Sequence, residues 1–219
     1  VSETTLFLVR HGATRANVVR PYVLQGLRPD SELIDLGVSQ AQAAASALRS
    51  HPVTAVYCSP LKRARRTAEW IAAGFHLPAV VEEGLVEIDA GLWSGLSWEE
   101  IGQKWPEEFR AFQADAERHG YLGGDNLATV RDRALPTIEN LVARHPGETV
   151  VAVAHGVVNR VLLAHWLNLP LRFARRLPQD NAGINVVTFN DDETRVRTVN
   201  AIEHLAGLRQ IEPRASEVA

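Results

Sequence analysis

The sequence predicts a layered α/β fold, a three-layer sandwich with a mostly parallel central sheet and helices on both faces. Three observations predict it. Short apolar runs of strand length alternate along the chain with stretches of helical period. The run Val150 to Ala154 is apolar at every position, as a central strand buried on both faces must be. Two of the runs lead into the same dipeptide, His-Gly, at the strand end where open α/β sheets gather ligands.

The elements follow in order. Thr5 to Val9 is the first strand and ends at Arg10-His11-Gly12. Leu36 to Arg49 is alanine-rich, with Leu36, Ala43, Ala44, Ala47 and Leu48 at helical spacing. Val53 to Cys58 reads as a second buried strand. It stops at Ser59-Pro60, which suits the N-cap and first position of a helix over Leu61 to Ala73, closed by Gly74. Ala79 to Val81 is a short third strand. Trp93 to Gly124 changes character, being rich in Trp, Glu and Gly, with short helices over Trp98 to Lys104 and Glu107 to Glu117. Asn126 to Arg144 is helical by period, with a kink or restart expected at Pro136. After the strand Thr149 to Ala154 come a helix, Val157 to Leu167, and two strands, Ile184 to Phe189 and Arg195 to Val199. Residues 1–211 are read as one domain, with 92–124 an insertion covering a pocket and 212–219 a flexible tail.

Composition narrows the function. The formal net charge of −3 gives no basic footprint for nucleic acid. No apolar run approaches membrane-spanning length, and the N-terminus lacks a signal-peptide pattern. The single cysteine, Cys58, excludes an internal disulfide. A cytoplasmic protein, monomer or homodimer, with a small-molecule partner is expected. The eight histidines show no His-x-x-x-His spacing and there is no Cys-x-x-Cys, so neither metal nor cofactor is expected.

The chemistry lies in three groups of residues. His11 and His155, each followed by glycine, place imidazoles at a pocket floor and leave room for backbone N–H groups to face an anion. Arginine's planar fork suits phosphate oxygens; Arg10 adjoins the first histidine, and Arg63, four residues past Ser59, points back to the strand end. Arg65 and Arg66 read as a solvated face. A phosphate ester leaving as an alkoxide needs a proton donor, and Glu87, with Asp89 as the alternative, precedes the turn Gly91-Leu92-Trp93-Ser94-Gly95.

Together these motifs resemble the histidine phosphatase superfamily, the phosphoglycerate-mutase-like group, from about Thr4 to Leu205. Its signatures appear as Arg10-His11-Gly12-Ala13-Thr14-Arg15-Ala16-Asn17, as Ser59-Pro60-Leu61-Lys62-Arg63-Ala64-Arg65-Arg66-Thr67-Ala68, as Glu87 to Gly95, and as His155-Gly156. The resemblance implies the phosphoglycerate-mutase-like fold and a metal-free reaction in which His11 attacks phosphorus. It also implies that Arg10, Arg63, His155 and the Gly156 backbone bind the phosphoryl oxygens, that Asn17 and the Thr14 hydroxyl donate to them, and that Glu87 protonates the leaving oxygen. Two positions depart from the pattern: Ala13 stands where Glu or Gln is common, and Leu33-Ile34 where Leu-Ser/Thr is usual.

The stretch after the acid carries no arginine pair of the kind mutases use and is acidic, with Glu107, Glu108, Asp115 and Glu117. A phosphatase acting on phosphoserine, phosphoglycerate or sugar phosphates is therefore expected. A phosphoglycerate mutase is the alternative, and a non-catalytic phospho-ligand binder the second. The aromatics Trp98, Trp105, Phe109, Phe112 and Tyr121 are expected at the pocket mouth, most of them in the core.

Overall fold

A computed structural model describes residues 3–208; the tail expected over 212–219 lies outside the described residues. The elements are β1 (Thr4–Arg10), α1 (Arg15–Val18), α2 (Asp35–Leu48), β2 (Val53–Cys58), α3 (Lys62–Ala73), β3 (Ala79–Val81), α4 (Trp98–Lys104), α5 (Pro106–Ala114), α6 (Leu127–Ala143), β4 (Thr149–Ala154), α7 (Gly156–Trp166), β5 (Ile184–Phe189) and β6 (Thr194–Ala201). The six strands form one mixed sheet in the order β3-β2-β4-β1-β5-β6. β1, β2, β3 and β4 run parallel, while β5 and β6 are antiparallel additions at one side. No helix among the described residues is long and apolar enough to cross a membrane.

Strand alternation divides the core into two layers. Leu6 and Leu8 of β1, with Val150 and Ala152 of β4, pack on α6 and α7. Phe7 and Val9, with Val151 and Val153, face α2 and α3 on the other side. β4 and β1 are therefore covered on both faces, which is why their sequences are continuously apolar.

Side-chain caps fix the starts of α4 and α6. Ser97 caps α4: its hydroxyl accepts from Glu100 N at 3.2 Å while the Glu100 carboxylate accepts from Ser97 N at 2.8 Å. Asn126 caps α6 by accepting from Thr129 N at 2.8 Å. Two expectations are corrected. α3 begins at Lys62, with Leu61 at its N-cap and not Ser59; the Ser59 hydroxyl is turned to His155. α6 runs through Pro136 without restarting. Pro136 lies on the exposed side of α6, while Val130, Ala134, Ile138 and Leu141 bury the opposite stripe; that burial outweighs the lost hydrogen bond.

The loop after β1 is held by contact between two backbones. A Cβ on Gly12 would stand 2.3 Å from the Gly37 carbonyl oxygen, and one on Gly37 would stand 2.0 Å from that of Ala13. Gln40, one turn further along α2, accepts from Ala13 N at 2.9 Å. This explains Gly37 and Gln40 in the sequence: the first lets α2 close on the loop, the second bonds it there. It also leaves Ala13 fully buried. Gly37→Ala should lower stability by about 1–3 kcal/mol through overpacking. Urea denaturation measures it, and an unchanged midpoint would show that the loop is not held by this contact.

Candidate active site

β1 and β4 are neighbours in register, Arg10 opposite Ala154. The residues that follow them, His11 and His155, therefore emerge side by side at the carboxyl edge of the sheet. Their ring centroids lie 5.2 Å apart, and His11 N donates to the Ala154 carbonyl at 3.1 Å. β2, on the far side of β4, delivers Ser59 and then the first turn of α3 with Arg63. Thr67, one turn on, accepts from Gly12 N at 3.0 Å and donates to the Arg63 carbonyl at 2.8 Å, tying α3 to the first histidine loop.

The surroundings of each histidine select its tautomer. His11 Nδ1 is 2.7 Å from the Gly12 carbonyl oxygen. A carbonyl only accepts, so Nδ1 carries the hydrogen and Nε2 the lone pair. That lone pair accepts from Arg63 Nε at 3.2 Å. Burial, reinforced by the Arg63 and Arg10 guanidinia, holds the His11 pKa well below the usual histidine range. The side chain is thus a neutral imidazole with an available nitrogen, the form a nucleophile needs.

His155 is fully buried. Its pKa is also well below the ordinary value, first from burial and then from Arg63, His11, Arg10 and Arg133. Ser59 Oγ accepts from Leu61 N at 3.3 Å and lies 2.7 Å from His155 Nε2. Among the described residues Nε2 is the acceptor that faces the Ser59 hydroxyl hydrogen, so satisfying that donor puts the His155 hydrogen on Nδ1. That buried atom has no hydrogen-bond partner among the described residues, so it is a donor in want of an acceptor.

The cations are anchored from behind. Arg63, 1% exposed, donates from Nη2 to the Gly26 carbonyl at 2.8 Å and has the Asp30 carboxylate 3.9 Å from Nη1. Arg10 donates to the Gln179 carbonyl. The Gln179 side chain is in turn bonded to Asn159 and Asn185, both buried. Gly156 opens α7, where a Cβ would lie in ordinary contact with Arg10 Nε at 3.5 Å and tightly against Arg160 Nη1 at 3.3 Å, so the Arg10 guanidinium lies beside the helix start.

Arg10, His11, Asn17, Arg63 and Glu87 all line one small cleft of about 50 Å³. Asn17 Oδ1 accepts from Thr14 N at 2.9 Å and from Asn181 Nδ2 at 3.3 Å, which turns its amide nitrogen to the cleft. Glu87, 8% exposed, accepts from Ile88 N at 2.9 Å and Val157 N at 3.4 Å. Arg133 fixes this acid from its backbone side, donating to the Val86 and Glu87 carbonyls at 2.7 and 2.8 Å. Asp89 accepts from Gly91 N at 2.9 Å and does not line the cleft, which distinguishes it from Glu87.

Three expected site residues stand back from that wall. His155 and Gly156 lie behind it, within reach of His11 and Arg10. Thr14 is the larger departure from expectation. Fully buried, its hydroxyl lies 3.0 Å from Asn17 Oδ1 and 2.9 Å from Gln25 Oε1, so it orients those two side chains and does not face the cleft.

The rest of the wall comes from residues the sequence reading did not single out. Tyr22, Leu24, Gln25 and Gly26 belong to the long connection between α1 and α2. An irregular loop of that length is itself a signal of function. Of the aromatics expected at the mouth, Tyr121 lines the cleft, while Phe112 is buried against Trp93 and stacks on Trp98. Arg65 and Arg66 are exposed, as expected, with Arg66 paired to Glu69. No group of three or more His, Cys, Asp or Glu among the described residues is placed to hold a metal ion.

Known proteins resemble this chain over most of its length. The model of the histidine phosphatase superfamily (branch 1) matches residues 6–202. Phosphoserine phosphatase 1 of Hydrogenobacter thermophilus is 34% identical over 91% of this chain and 93% of its own. The metal-independent phosphoserine phosphatase of Arabidopsis thaliana is 35% identical over 94% of this chain and 84% of its own. Among solved structures, phosphoserine phosphatase of Entamoeba histolytica in complex with 3-phosphoglyceric acid superposes with a TM-score of 0.82 at 26% identity, covering 92% of this chain and 99% of that one.

Two histidines buried neutral give the fold a pH signature. In the unfolded chain they protonate below about pH 6.5, while the native state resists protonation, so acid favours unfolding. Stability should be full above that pH and fall as pH drops, with a limiting slope of about 2.7 kcal/mol per pH unit if both remain neutral. Denaturant titrations between pH 7.5 and 5 measure the slope, and His11→Ala should remove about half of it. A slope unaffected by the substitution would contradict a neutral His11.

Proposed function

The chain belongs to the histidine phosphatase superfamily, branch 1, and on that premise we propose that His11 is the nucleophile through which it hydrolyses small phosphorylated hydroxy acids, phosphoserine first among them. That it is a phosphatase of phosphomonoesters follows from the family and its phosphatase relatives. The observation that carries the nucleophile is the pairing of a neutral His11, its Nε2 lone pair held at Arg63, with Glu87 on the wall of the same cleft; the phosphoserine phosphatase relatives support the substrate class.

His11 Nε2 attacks phosphorus in line, and the bond from phosphorus to the ester oxygen breaks. The departing oxygen takes the proton of the Glu87 carboxyl. Arg10, Arg63, the Nδ1–H of His155 and the amide of Asn17 neutralise the oxygens of the transferring group, with the N–H groups at the start of α7 behind them. Water then attacks the phosphohistidine, giving its proton to the Glu87 carboxylate; the P–N bond breaks and orthophosphate leaves. Charge stabilisation is supplied by side chains, so the chemistry proceeds without a metal. We place this activity in the cytoplasm, in a monomer or homodimer, consistent with a lone, buried Cys58.

Phosphate release from phosphoserine, 3-phosphoglycerate, sugar phosphates and p-nitrophenyl phosphate, with chelator present, tests the reading. Wild type should release phosphate, with phosphoserine and 3-phosphoglycerate leading. His11→Ala should lose about 10³-fold or more, and Glu87→Gln about 10²–10⁴-fold with phosphate-analogue binding kept. Interconversion of phosphoglycerates without release would make the protein a mutase. Unchanged turnover in Glu87→Gln would remove the acid from the account.

A further inference from the structure

The phosphoryl end of the cleft is accounted for by Arg10, His11, Asn17 and Arg63, and the ester oxygen by Glu87. Tyr121 is not. It is 6% exposed, with its ring against Trp93 at 5.8 Å and Phe112 at 4.8 Å between centroids. Packing alone would be served as well by phenylalanine. No hydrogen bond among the described residues involves its hydroxyl, although a buried phenol ordinarily finds a partner, and that oxygen is not among the fully enclosed atoms left without one. Instead it stands on the wall of the same cleft as Glu87. Burial, followed by the nearby Glu87 carboxylate, pushes its pKa up, so it remains a donor.

The surroundings say what that donor is for. Glu87 is the largest charge acting on the phenol, and Arg175 and Arg160 oppose it. Arg175 is fixed over the Phe112 ring at 5.1 Å, and Arg160 by a bond from Nε to the Leu177 carbonyl at 2.9 Å. Val157, Ile88 and Ala90, beside Glu87 on the cleft wall, are apolar. When Glu87 holds the proton it delivers to the ester oxygen, its charge is gone, and a substrate group beside that oxygen meets a neutral phenol donor with Arg175 and Arg160 behind it, an environment that favours an anion.

We propose that the Tyr121 hydroxyl donates a hydrogen bond to a carboxylate on the substrate, and so selects phosphorylated hydroxy acids over phosphate esters without one. This rests on the phosphatase reading above. A site built to pair a polar substituent rejects the analogue lacking it, because the buried donor is then left unpaired.

Phosphoserine and phosphoethanolamine differ by that carboxylate, so the ratio of their kcat/KM values isolates it. Wild type should prefer phosphoserine, and Tyr121→Phe should cut kcat/KM for phosphoserine by about tenfold or more, chiefly through KM. Phosphoethanolamine and p-nitrophenyl phosphate should change less than about twofold, and the melting temperature should hold, since no protein hydrogen bond is lost. An unchanged ratio in the variant, or an equal loss on all three esters, would overturn the assignment while leaving the phosphatase standing. Wild type that cleaves p-nitrophenyl phosphate but neither phosphoserine nor 3-phosphoglycerate would instead sink the substrate class, and this assignment with it.

Discussion

The site depends on one hydrogen bond, that from His11 Nδ1 to the carbonyl of Gly12, the next residue in the chain. It assigns the hydrogen to the nitrogen facing the backbone and leaves the lone pair on the nitrogen facing Arg63. The two guanidinia beside it do double service on the proposed account. Before substrate enters, they and burial keep the imidazole uncharged; once phosphate is bound, the same charges stabilise the transferring group. Cation density that would be a liability without a ligand is therefore what makes the histidine nucleophilic and the pocket anion-selective.

Holding that bond requires the residues around Gly12 to be immobile, and most of the fold's peculiarities serve this end. Gly37 lets α2 press against the loop, Gln40 bonds Ala13, Thr67 bonds Gly12, and Asn181 donates to the His11 carbonyl at 3.1 Å. These contacts come from α2, α3 and the segment before β5, so three separate parts of the chain converge on one tripeptide. The acid is held comparably, from its backbone side by Arg133, whose Nη1 lies 3.5 Å from Asp125. The nucleophile rests on rigid sheet edges, whereas the substrate-facing wall at Tyr22, Gln25 and Tyr121 comes from connections. That division suits one reaction serving different substrates.

Much of this was legible in the sequence, because strand period, His-Gly strand ends and arginine placement are local patterns. The apolar run of β4 announced a central strand, and the register of β1 with β4 then brings both histidines together. What escaped were features set by tertiary contact. Ser59 reads as a helix cap, yet its hydroxyl is engaged by His155, a partner 96 positions away. Thr14 reads as a phosphate donor, yet Asn17 and Gln25 occupy it. Pro136 reads as a kink or restart, but one helix continues through it, with the proline on the solvent side and the other face buried. Tyr22 and Gln25 lie in a loop without period, where pattern has nothing to register.

The central claim is a covalent bond between His11 Nε2 and phosphorus. Rapid acid-free quenching of the protein with labelled phosphoserine, followed by peptide mapping under alkaline conditions, looks for it directly. The account predicts a phosphoryl group on the peptide carrying His11, stable to alkali and lost in acid, that appears before orthophosphate and is absent in His11→Ala. Steady turnover with no such adduct, or an adduct on another residue, would contradict it.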